Sequence, residues 1–169
     1  MGRFTSSSDT LARLARSAWM VAGIALAFVI VFALEIVGLS RNGGLPTAPT
    51  RDRDLARRVA VAVTSFDYRT LDRDVRSVLD LGTPGFERDF ARAMGPDFDR
   101  RVGAKSLVSV GRVAAGPTLQ ETTGGRASFI VLLDQSVTSE GNATPQTARV
   151  GLLVTVLEGA GKVVSVEIV

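Results

Sequence analysis

The chain has 169 residues, with 20 Lys and Arg against 17 Asp and Glu and a net charge of +3. It contains no Cys and no His, which removes disulfide frameworks, thiolate zinc sites, thiol nucleophiles and the commonest general base, and with them most hydrolase triads and zinc enzymes. Hydrophobic residues make up 46% of the chain, high for a sequence with 22% charge, and the excess is concentrated near the N-terminus.

Residues 1–17 form a short tail bearing Arg3, Asp9, Arg13 and Arg16. Residues 18–39 follow as AWMVAGIALAFVIVFALEIVGL, in which Ala18 to Leu34 is free of charge and Glu35 precedes Ile36–Leu39. A bilayer crossing takes about 20 apolar residues, and a soluble helix of this length without a polar face is unusual. A transmembrane helix is therefore predicted, with the lipid bilayer as its partner. The apolar stretch exceeds the roughly 7–15 residues of a signal-peptide core and no A-x-A site closely follows it, so an uncleaved signal anchor is expected. Arg13 and Arg16 abut the helix, and long domains translocate largely regardless of charge. These points place the N-terminus in the cytoplasm and the rest of the chain outside the cell membrane. Gly23, Ala27, Val31 and Glu35 share one side of the helix and form a candidate docking stripe within the membrane. The simpler reading of Glu35 is a carboxylate that snorkels to the headgroups.

Residues 40–50, SRNGGLPTAPT, read as a linker, leaving residues 51–169 for one domain. Charge divides that domain: residues 50–101 hold 11 Arg and 10 acids, residues 102–169 only five bases and five acids. Thr50 is expected to cap a first helix whose stripe is Leu55, Val59, Ala62, Val63 and Phe66. Thr70 is expected to cap a second, with Leu71, Val75, Val78 and Leu79 inward and Gly82 as its stop. Thr83-Pro84 opens a third with Phe86, Phe90, Ala93 and Met94 on its stripe. Gly95-Pro96 ends it, and Phe98 with Val102 marks a short further turn. Strands are predicted over 106–113, 126–137, 146–158 and 162–169, with a turn at Thr122–Gly125, a loop over Ser139–Pro145 and a tight turn at Gly159–Gly161. Val150, Leu152, Val154 and Val156 share one face, as do Val164, Val166 and Ile168. Helices followed by an antiparallel sheet indicate an α+β fold with the helices packed on one face of the sheet.

The acids of the helical part, Asp67, Asp72, Asp74, Asp80, Glu87, Asp89, Asp97 and Asp99, are interleaved with arginines. The i, i+4 pairs Asp54–Arg58, Asp72–Arg76 and Asp97–Arg101 read as solvated, salt-bridged helix faces rather than acid–base pairs. No calcium loop, phosphate loop, dinucleotide fingerprint or nucleophile elbow occurs, and Asp97-x-Asp99 alone is a weak metal signal. Catalytic residues, metal ligands and cofactors are therefore expected to be none. Nucleic acid is not an expected partner: Arg57–Arg58 and Arg100–Arg101 lie beside acids, and Tyr68 is the only tyrosine.

Thr64–Val75 reads TSFDYRTLDRDV and continues VRSVLDLGTPGFERDFA. The first segment resembles the stretch that joins the first two helices of actinobacterial Mce-associated membrane proteins. The continuation resembles theirs too, although Pro84 here separates Thr83 from Gly85. The resemblance covers about 120 residues and the order of tail, span and outer domain. It implies a nuclear-transport-factor-2-like cone and a non-enzymatic accessory subunit that stabilises or assembles a lipid-import complex. Transporter subunits are then the expected partners, and self-association is open. The family has no established catalytic residues, so none is carried over. Read physically, Phe66 is expected in the core, with Asp67, Tyr68, Arg69 and Thr70 forming a helix corner, a partner-docking surface or both. Two alternatives use the same topology. One is a cone-fold lipid binder or isomerase, needing Tyr68 and an acid turned into an apolar cavity. The other is an inner-membrane scaffold of a type IV secretion system.

Overall fold

The computed structural model describes residues 49–169. The expected membrane span, and with it Gly23, Ala27, Val31 and Glu35, lies outside the described residues, among which no helix is long and apolar enough to cross a membrane. In chain order the elements are α1 (Thr50–Thr64), β1 (Phe66–Asp67), α2 (Leu71–Leu79), α3 (Pro84–Met94), α4 (Phe98–Ala104), β2 (Val108–Thr123), β3 (Arg126–Ser139), β4 (Asn142–Leu157) and β5 (Lys162–Ile168). The strands form a single antiparallel sheet in the order β1-β2-β3-β4-β5. The architecture is the expected α+β, with helices on a curled antiparallel sheet.

The core lies between α1 and the sheet. Leu55, Ala56, Val59 and Ala60 are fully buried against Ala127, Phe129, Val131 and Leu133 of β3 and Val154 and Val156 of β4. The two alanines leave α1 without bulk on that face, so the helix can lie close to the strands. Each fully buried Val, Leu or Phe contributes about 1.5–3 kcal/mol. Alternation along β3, with Ala127, Phe129, Val131, Leu133 and Val137 buried and Ser128 the buried exception between them, sets the register, because a one-residue slip would expose the apolar set.

Several local expectations change. Pro49, not Thr50, is the N-cap of α1, and no side chain caps it. Thr70 occupies the N-cap position of α2 but makes no capping bond; its hydroxyl donates to Asp74 instead. Thr83 does cap α3, accepting from the Phe86 amide with Pro84 at the first position. Phe66 leaves the helical stripe, enters β1 half-buried, and packs edge-on against Phe98, with ring centroids 6.0 Å apart. β2 does not stop at Val113. It continues to Thr123 through register shifts around Ala115 and Thr118, which absorb Gly116-Pro117. The expected Ser139–Pro145 loop contracts to a turn at Glu140–Gly141, so Pro145 sits within β4. That stretch of β4 pairs with β3 only, and an edge is where a strand tolerates proline. A register shift between Thr155 and Val156 puts Val163, rather than Val164, in the core, in line with Val166 and Ile168.

Candidate functional site

The corner predicted from FDYRT is built by its own carboxylates. α1 ends at Thr64, and Ser65 turns extended with φ −120° and ψ 121°. Phe66 and Asp67 then pair with Ser109 and Val108. The Tyr68 amide donates to the Leu107 carbonyl at 3.1 Å, and the Thr70 amide to the Asp67 carbonyl at 2.9 Å, closing the turn. The Asp67 carboxylate accepts from the Arg69 amide and from Arg69 Nε, each at 2.9 Å. This hydrogen bonding by Arg69 lowers the Asp67 pKa to about 2. Asp74 reaches back from α2: its Oδ2 accepts from the Asp67 amide at 3.1 Å and from the Thr70 hydroxyl at 2.9 Å, while its Oδ1 pairs with Arg73 at 3.3 Å. Tyr68 is left facing outward, 39% exposed, with the Arg69 guanidinium 5.5 Å from its ring centroid.

Behind the corner lies a polar network that the sequence reading missed. The Thr64 carbonyl, at the end of α1, accepts from Ser109 Oγ at 2.7 Å and from Gln135 Nε2 at 3.3 Å. Gln135 Nε2 also donates to Ser109 Oγ at 2.9 Å. The Gly111 amide donates to Ser65 Oγ at 2.9 Å. Two strand side chains thus satisfy a helix-end carbonyl that has no partner within the helix. The available signal was a polar residue at an inward position of an apolar strand, which both Ser109 and Gln135 are.

At the other end of α1, Asp52 is fully buried. Its Oδ2 accepts a long 3.4 Å bond from the Gly159 amide in the β4–β5 turn, and its Oδ1 has no hydrogen-bond partner among the described residues. An acid three residues past a helix cap ordinarily reaches back to the cap amide. Here the cap is Pro49, which has no amide hydrogen to give.

An open cleft of about 410 Å³ flanks the corner, lined by Tyr68, Arg69, Thr70, Leu71, Asp72, Arg73, Arg76 and Asp99. The expected pairs Asp54–Arg58, Asp72–Arg76 and Asp97–Arg101 do not form. Arginines bond at shorter spacings instead: Arg92 with Asp89 at 3.1 Å and Arg100 with Asp97 at 2.8 Å, while Arg101 donates to the Met94 carbonyl. Asp72, Arg76 and Asp99 enter the cleft with no ion pair or side-chain hydrogen bond among the described residues. An isomerase-type site would need Tyr68 and an acid directed into an apolar cavity. Tyr68 instead stands on the rim of a charged, solvent-open cleft, and Asp52, the buried acid without full partnering among the described residues, lies at the opposite end of α1. Among the described residues no group of three His, Cys, Asp or Glu side chains could hold a metal ion.

Comparison with solved structures places the fold. An IcmL-like type IV secretion system protein from Legionella pneumophila matches with a TM-score of 0.61 at 12% identity, over 73% of this chain and 94% of that one. The periplasmic domain of DotI matches with a TM-score of 0.55 at 17% identity, over 75% and 99%. CagV, a VirB8 homolog from Helicobacter pylori, matches with a TM-score of 0.56 at 7% identity, over 71% and 97%. At these identities the likeness is one of fold. No curated protein matches the sequence. A family model described as "Uncharacterized protein Rv1363c/MT1408-like" matches residues 47–169. Its mycobacterial designation agrees with the actinobacterial part of the resemblance, and its description makes no mention of Mce transport. With the linker end and the entire α+β domain inside that match, the chain belongs to the Rv1363c/MT1408-like family.

Proposed function

We propose that this protein is a non-catalytic assembly subunit of a cell-envelope complex, held at the membrane by residues 18–39, with the cleft beside Tyr68 as a protein-docking site. The observation that carries the reading is how the corner uses its residues. Asp67 and Asp74 are engaged in holding the turn, and Arg69 and Arg73 are anchored by them. What faces solvent is a Tyr ring with the Arg69 guanidinium beside it and Arg73 and Arg76 further along the cleft, residue types that dominate binding energy at protein interfaces. The fold supports the same role, since the structures it resembles are domains of type IV secretion proteins, including a VirB8 homolog and periplasmic DotI.

That fold favours an envelope scaffold in the manner of those domains over the specific role in lipid import suggested by the FDYRT segment. Transporter subunits of the Mce type remain a defined partner class to test. Affinity purification of the full chain from native membranes in mild detergent separates the two. Enrichment of envelope-complex subunits with the wild-type chain, and their loss with Tyr68→Ala, supports the assembly role, and their identity decides between scaffold and lipid import. Recovery of the chain alone, or turnover of a small molecule by the purified chain, overturns it.

A further inference from the structure

The exposed face of α2 carries Asp72, Arg73 and Arg76, with Asp80 following as its C-cap. The spacing places them along one side of the helix. Arg73 is already held by Asp74. Asp72, Arg76 and Asp80 have no side-chain hydrogen bond or ion pair among the described residues. Asp72 and Arg76 are one turn apart, both open to solvent, and yet not bonded to each other.

This order of charges is self-complementary. Two antiparallel copies of a helix set residue i opposite residue j wherever i and j sum to a constant. With the two-fold axis at the level of residue 74, Asp72 of each copy faces Arg76 of the other, and the pair is made twice, as an isologous interface requires. Asp99 of α4 lines the same cleft, so an incoming Arg76 guanidinium meets two carboxylates that lack partners. The exposed Tyr68 ring stands at the rim of the same cleft and supplies an amphipathic anchor. A purely acidic or purely basic partner would meet like charges on this face along with opposite ones. A second copy, suitably turned, meets opposite charges at Asp72 and Arg76.

We infer that the outer face of α2 is a two-fold self-docking surface, and that the occupant of the cleft beside Tyr68 is a second copy of this chain. The inference rests on the reading of that cleft as a protein-docking site and names its partner.

The test uses charge reversal in the full chain in mild detergent, with native mass spectrometry or sedimentation reporting the oligomeric state. The wild-type chain dimerises. Asp72→Arg and Arg76→Asp each replace two attractive pairs by two repulsive ones, and each weakens self-association at least about tenfold. Both sites are on the surface of a formed helix, so circular dichroism is unchanged. An equimolar mixture of the two variants regains the dimer, as a heterodimer, because the facing charges are again opposite; a merely structural role for either residue does not give that recovery. A monomeric wild-type chain, single variants that stay dimeric, or a mixture that stays monomeric overturns the inference. A monomeric chain whose Tyr68 still contacts a different envelope protein removes self-docking while leaving the docking reading intact; a chain that neither dimerises nor contacts another protein there removes both.

Discussion

The two ends of α1 solve the same problem in opposite ways. At its C-terminal end the Thr64 carbonyl has two side-chain donors, Ser109 and Gln135, and the following Ser65 hydroxyl receives the Gly111 amide. At its N-terminal end a fully buried carboxylate, Asp52, has one long bond and an oxygen with none among the described residues. The difference is that one end of the helix is hydrogen-bonded by side chains from the sheet and the other is left with a poorly partnered acid. The well-satisfied end carries the FDYRT corner and its cleft, and a docking surface gains from being held in place before its partner arrives.

This contrast can be broken at several points. The largest effect is expected at Gly111, where an added Cβ would run into the Thr64 side chain. Thr64 cannot easily swing away, because its hydroxyl is bonded to the Ala60 carbonyl at 2.8 Å. Gly111→Ala should cost about 1–3 kcal/mol, read from chemical denaturation of the full chain in detergent. Ser109→Ala comes next, at about 1–2 kcal/mol, since it removes the shorter of the two donors to the Thr64 carbonyl and leaves Gln135 with one partner fewer. At the other end, Asp52→Asn should change stability by less than about 1 kcal/mol. Relief of burying a poorly partnered charge offsets the lost interaction with the helix dipole. A loss above about 2 kcal/mol would show that Oδ1 has a partner after all.

A pH dependence sharpens the same comparison. The Asp67 pKa is lowered from 3.8 to about 2 in the folded chain by the Arg69 bonds. A depressed folded pKa means a contribution that is complete above the unfolded pKa and lost as pH falls through the folded one. The wild-type chain should therefore lose more stability than Asp67→Asn as pH falls from about 4 to about 2, measured by denaturation across that window. Equal losses in the two proteins would show that the Asp67–Arg69 contact contributes nothing to the fold.

Much of the fold could be read locally. Thr83-Pro84 opens α3 as its residue types dictate. The turns with Gly124-Gly125 and Gly159 to Gly161 have the positive φ that makes glycine the natural choice there. At the corner the contacts are local, since Asp67, Arg69, Thr70 and Asp74 interact within eight residues of one another, but the sequence pattern reads Thr70 as a helix cap and leaves Asp74 out of the corner. What escaped was set by partners far along the chain. Pro145 reads as a loop residue until β4 is seen to pair with β3 alone at that point. The strand expected to end at Val113 runs on to Thr123, because bulges carry β2 past Gly116-Pro117. Ser109 and Gln135 join Thr64 across 45 and 71 residues, a relation no periodicity encodes. The i, i+4 ion pairs failed for a related reason: exposed arginines have several acids within reach, and surface pairing decides little energetically.

The docking role of the corner is the claim on which the functional account depends. A photo-crosslinking residue placed at Tyr68 of the full chain in its native membrane, compared with one at Thr122 near the β2–β3 turn, tests it most directly. The account predicts discrete protein adducts at 68, including the chain's own dimer, and none at 122. Adducts at 122 with none at 68 would contradict it.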